Sequence, residues 1–142
     1  MDELAYQRSR QSINASPCVF EKALLAGCAQ CTLSRRQALA EREVVACSVP
    51  VARINCTTLA SLFRERARFA LHLPGAGVPM AHAKSMQLQC GGLGGLQTVL
   101  AAPVADVHAM VQQAQANDSS LLDLPWAEIV RAIAAWRLRK RR

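Results

Sequence analysis

The sequence predicts an all-α protein: a single compact domain of five or six helices with a central Pro/Gly-rich loop. Three observations carry that expectation. The 142 residues suffice for one domain with its own core, and not for two. Apolar residues make up 51% against 19% charged, a globular balance, and they recur mostly at the three-four spacing of a helix face. Ser, Asn, Pro and Gly fall where such helices would start and stop. Because aromatics are only 4%, Ala, Leu, Val and Ile must fill the core.

Residues 1–15 are polar and read as a flexible arm, with residues 16–138 as the helical domain and 139–142 as a basic tail. Ser16 and Pro17 have the residue types of an N-cap and a first helical position, and Gly27 is a natural stop. Ser34 and Gln37 form a capping-box pattern that would open a second helix as far as Ala46 or Cys47. Its apolar stripe is weak. Asn55 is a plausible cap for the clearest helix, with Leu59, Leu62, Phe63, Phe69, Ala70 and Leu73 inward and Arg64, Glu65 and Arg68 facing away.

A Gly/Pro loop region is expected over 74–103. Within it, Met86, Leu88 and Cys90 alternate with Gln87 and Gln89 like a short strand, ahead of Gly91, Gly92, Gly94 and Gly95. That glycine run is neither G-x-G-x-x-G nor a P-loop, so it reads as a turn or as close helix packing. Pro103 precedes a helix with Val104, Val107, His108 and Val111 on one face. Pro125 opens the last helix, with Trp126, Ile129, Val130 and Ile133 inward.

No stretch is long and apolar enough to span a membrane, and the start MDELAYQRSR lacks the apolar run of a secretory signal. The expected compartment is therefore the cytoplasm. Arg supplies 14 of the 17 basic residues, which fits a GC-rich bacterial genome. The net charge of +7 favours acidic partners, such as an acidic redox protein or a larger complex. Five of the positive charges lie in Trp136–Arg142, a tail with nucleic acid as a further partner to weigh.

Six cysteines are the strongest functional signal. Cys18, Cys28, Cys31, Cys47 and Cys56 crowd into 39 residues, with Cys90 apart. A cytoplasmic chain keeps thiols reduced, so metal binding or catalysis explains them better than three disulfides. Cys18 and Cys56 fall at expected helix starts, while Cys28 and Cys31 lie in an expected helix–helix connection. Helix N-termini stabilise thiolates through unpaired N–H groups. There is a single C-x-x-C and no His before His72, a poor match to paired zinc knuckles. All-cysteine ligation fits an iron–sulfur cluster, although neither ferredoxin spacing is present.

The expected cofactor is thus an iron–sulfur cluster of the 4Fe–4S type, with zinc as the alternative. The expected cofactor-binding set is Cys18, Cys31, Cys47 and Cys56, with Cys28 and Cys90 as alternates, and the wider metal set is Cys18, Cys28, Cys31, Cys47 and Cys56. The function expected from this is electron transfer, redox sensing or cluster delivery. The alternative is a zinc-stabilised module whose basic tail contacts nucleic acid or an acidic protein. A third reading is a thiol oxidoreductase in which Cys28 and Cys31 form a reversible disulfide. No Ser/His/Asp triad or carboxylate pair argues for an enzyme, and His72, His82 and His108 carry no catalytic pattern.

Overall fold

A computed structural model describes residues 16–75 and 77–137. The expected arm over 1–15 and the basic tail over 139–142 lie outside the described residues. The fold is mostly helical with a small two-stranded sheet. In chain order it comprises α1 (Glu21–Leu25), β1 (Ser34–Leu39), β2 (Arg42–Cys47), α2 (Pro50–Leu71), α3 (His82–Met86), a π turn (Gln87–Gly91), α4 (Gly92–Leu100), α5 (Val107–Asp118), a 3₁₀ turn (Leu121–Asp123) and α6 (Trp126–Ala135).

The expected second helix is a hairpin. β1 and β2 pair antiparallel from Ser34↔Cys47 to Leu39↔Arg42, across a two-residue turn in which Ala40 takes a φ of 56°. Ala, Leu, Arg and Glu favour a helix here, but Val44 and Val45 point to opposite faces of a strand and both are fully buried. Val45 joins the main core, whereas Val44 packs with Leu39 in a separate small cluster. The N-terminal segment docks on this strand: Cys18 N donates to Val45 O at 2.9 Å and Cys47 N to Ser16 O at 2.8 Å. The first helix starts later than expected because Pro17 bridges Ala46 instead of opening a turn.

α2 starts at Pro50, five residues before the expected cap Asn55, with Pro in the first turn where no N–H is required. It buries Leu59, Leu62, Phe63, Ala67 and Leu71, while Phe69, expected inward, is 90% exposed. Arg64 does not face away: its Nη2 donates to Gly75 O at 2.8 Å and Val78 O at 2.6 Å, holding the loop after α2.

Most of the expected 74–103 loop region is helix. α3, the π turn and α4 follow one another over 82–100, and the expected strand is the π turn. The wider turn still alternates burial: Met86, Leu88 and Cys90 are in the core, while Gln87 and Gln89 bond the facing backbone. Gln87 Nε2 donates to Ile133 O at 2.9 Å, and Gln89 Oε1 accepts from Ala23 N at 3.0 Å. The glycines serve helix packing. A Cβ at Gly91 would lie 2.8 Å from Ile133 Cα, and one at Gly95 would lie 2.9 Å from Ala132 Cβ, so α6 approaches α4 closely.

Candidate functional site

The hairpin base, the segment before α1 and the first third of α2 enclose a small cavity. Cys18, Cys31, Cys47 and Cys56 all line it, together with Val19, Phe20, Ser34, Arg53 and Val107, and its volume is about 20 Å³. That is room for about one water molecule. Each of the four thiols comes from a different segment. Cys18 precedes α1, Cys31 lies in the α1–β1 connection, Cys47 ends β2 and Cys56 sits in the second turn of α2. All four are reduced.

The local backbone explains the convergence. Ser34 Oγ donates to Cys31 O at 2.7 Å, and Gln30 is tied to the α5 cap, with Gln30 N donating to Ala105 O at 2.9 Å. Asp106 completes that tie. Its Oδ2 accepts from Thr32 N at 3.1 Å and its Oδ1 from Ala109 N at 3.2 Å, so one buried carboxylate caps α5 and fixes the loop carrying Cys31. On the other side, Arg53 Nε donates to Pro17 O at 2.7 Å, anchoring the segment of Cys18 to α2.

The sulfurs lie close enough to affect one another electrostatically. Burial pushes the Cys56 thiol up to about 12, with the neighbouring Cys31, Cys18 and Cys47 adding to the rise and Arg53 opposing it. Burial likewise pushes Cys18 up to about 11, against a bond from the backbone at Phe20, with Cys31, Cys47 and Glu21 raising it further. At neutral pH these two are thiols, not thiolates. Cys47 Sγ donates to Val49 O at 3.2 Å.

The iron–sulfur cluster and the zinc alternative are corrected by this arrangement. Among the described residues, no group of three or more His, Cys, Asp or Glu side chains is arranged to hold a metal ion. The expectation rested on helix N-termini that would stabilise thiolates, and those are not where the cysteines are. Cys56 is seven residues into α2, and Cys18 precedes the short α1. Burial therefore dominates and favours the protonated forms. Two expected ligands are also engaged elsewhere, since Cys28 and Cys90 form a disulfide.

That disulfide also corrects the pairing of Cys28 with Cys31. Their C-x-x-C spacing straddles the turn after Gly27, whose φ is 78°, and Cys28 instead meets the π turn at Cys90. The Cα atoms are 5.5 Å apart across a sequence separation of 62, and Cys90 is only 3% exposed.

Comparison with protein-family models, curated proteins and solved structures finds no match to this chain. No helix among the described residues is long and apolar enough to cross a membrane.

Proposed function

We propose that the chain is a thiol-redox switch in which the four-cysteine cavity exchanges between thiols and disulfides. The observation that supports this reading is the gathering of four reduced cysteines, one from each of four segments, around a cavity with room for about one water. A single buried cysteine is an ordinary small core residue, but any two of four facing one cavity form a two-electron donor.

The chemistry needs only a disulfide as oxidant. A protein thiolate attacks a sulfur of a small-molecule disulfide, forming a mixed disulfide and releasing one small thiol. A second cavity thiol, losing its proton, attacks the protein sulfur of that mixed disulfide and releases the second small thiol. Two protein thiols are oxidised to one disulfide, and one disulfide is reduced to two thiols. Burial holds Cys18 and Cys56 protonated, which makes them poor first nucleophiles.

The structural output is local. A disulfide from Cys31 or Cys47 to Cys18 or Cys56 would link the hairpin base covalently to its supports, changing how firmly the hairpin is held. On this reading the working compartment is the cytoplasm, where a thiol pool resets the switch. The Cys28–Cys90 bond, shielded at Cys90, is then the structural exception. The net charge of +7 favours anionic thiol partners.

The test is peptide mapping after equilibration with oxidised glutathione under native conditions. The reading expects a new disulfide joining two of Cys18, Cys31, Cys47 and Cys56, reversed by reduced glutathione, with Cys28–Cys90 unchanged. Stable mixed adducts at single cysteines, with no protein disulfide among the four, would contradict it.

A further inference from the structure

Beside the thiol cavity, and sharing Val19, Phe20 and Arg53 with it, lies a larger cleft of about 370 Å³. Its floor is one stripe of α2, on which Arg53, Thr57, Ala60 and Arg64 follow at four-three-four spacing. The two arginines are eleven residues apart, which sets their backbones about 16 Å apart along the helix axis. Both arginine residues are only partly exposed, and no Asp or Glu among the described residues lines the cleft.

Among the described residues, the hydrogen-bond acceptors of both are neutral backbone carbonyls. Arg53 donates from Nε to Pro17 O, and Arg64 donates from Nη2 to the loop carbonyls of Pro74, Gly75 and Val78. Arg64 Nε is buried without a hydrogen-bond partner. A half-buried cation lacking a counter-charge is unfavourable, and an anion seated beside it relieves that cost. Between the arginines the walls are apolar, with Phe20, Phe63, Met80 and Leu88, while Ser61 and Ser85 supply hydroxyls. The volume lies in the range of small-molecule sites.

We infer that this cleft binds a small organic dianion, with an acidic group toward each of Arg53 and Arg64 and an apolar middle against Phe20 and Met80. The inference does not rest on the thiol chemistry: it uses none of the cysteines, although Arg53 lines both sites. It adds a ligand site to the protein whether or not the cavity cysteines exchange.

Isothermal titration of the full chain with adipate, suberate and inorganic phosphate tests it. One of the dicarboxylates binds with a dissociation constant below about 1 mM, and more tightly than phosphate. Arg53→Gln weakens that binding by about tenfold, and Ser85→Leu, which fills the cleft without touching a charge, also weakens it. Both arginines also hold backbone, Arg53 at Pro17 and Arg64 at the loop after α2, so Arg53→Lys, which keeps the charge without that Nε bond, is the control: it retains the binding that Arg53→Gln loses, with circular dichroism unchanged. Failure of both dicarboxylates to bind, phosphate binding as tightly as either, or indifference to Arg53→Gln would overturn the inference.

Discussion

Gly92 lies against the face of Phe63: a Cβ at position 92 would stand 2.5 Å from Phe63 Cδ2 and 2.6 Å from Cε2. The ring cannot move aside, because it is 1% exposed and packs between Phe20 and Trp126, each with its centroid 5.9 Å away. Gly92→Ala therefore overpacks the core and costs about 1–3 kcal/mol. Gly94, two residues on in the same helix, has nothing within 4 Å of its would-be Cβ. Gly94→Ala stabilises the fold by about 0.5–1 kcal/mol through helix propensity. Urea denaturation of the two variants gives midpoints that move in opposite directions.

The Cys28–Cys90 disulfide closes the chain across a separation of 62 residues, tying the end of α1 to the π turn. In the chain-entropy account such a cross-link stabilises by about 4 kcal/mol. The Cys28→Ser/Cys90→Ser double variant is expected to lose an amount of that order in denaturant titration. Adding reductant should lower the wild-type midpoint and leave that of the double variant unmoved.

Asp106 joins two functions in one buried side chain, capping α5 and fixing Thr32 beside Cys31. Asp106→Ala removes both acceptors and is expected to cost about 2 kcal/mol or more. Asp106→Asn keeps one carbonyl oxygen as acceptor and falls between. Hydrogen exchange should show the Thr32 and Ala109 amides losing protection in the Ala variant before the rest of the core does.

Cys18 and Cys56 give a pH dependence of definite sign. Their thiols titrate at about 11 and about 12 when folded, against an ordinary value of 9.0. The unfolded chain thus loses these protons first as pH rises, so the stabilising contribution is complete below pH 9 and is lost between pH 9 and about 11–12. The denaturation midpoint should fall over that window, and a Cys18→Ala/Cys56→Ala variant should show a flatter profile. Alkylation of these two sulfurs should be slow at neutral pH and accelerate steeply above pH 9.

Much of the helical core is legible in the sequence. The inward set Leu59, Leu62 and Phe63, and the last helix with Trp126, Ile129 and Ile133, follow from three-four spacing and are buried. The hairpin is not legible, because its turn, Ala40-Glu41, carries no Asn-Gly or Asp-Gly signal and its strands are rich in helix formers. Only the pair Val44-Val45 hints at a strand. The π turn misleads for a different reason: it packs between α1 and α6, so Met86, Leu88 and Cys90 are all buried while Gln87 and Gln89 bond the facing backbone, a burial pattern that imitates a strand.

For the site, crowding of cysteines between positions 18 and 56 points to one region, and Cys18, Cys31, Cys47 and Cys56 do line one small cavity. Their chemical state follows from burial, which a sequence does not display, and burial turns expected thiolates into thiols at Cys18 and Cys56. The Cys28–Cys90 pairing spans 62 residues and depends on how α1 packs against the π turn, so local spacing points to Cys31 instead. The arginine stripe of the neighbouring cleft was present as Arg53 and Arg64 at helical spacing. It gains meaning only once the facing wall from the π turn is in place.

The most direct measurement is a count of free thiols across glutathione buffers of graded redox poise, with the protein equilibrated in its native state, alkylated after unfolding and read by intact mass. The account predicts four free thiols in the reducing buffers, falling to two or none in the oxidising ones, reversibly and without loss of the folded spectrum. Four thiols that remain reduced at every poise while the protein stays folded would contradict it, as would native mass spectra carrying a stoichiometric metal on those cysteines.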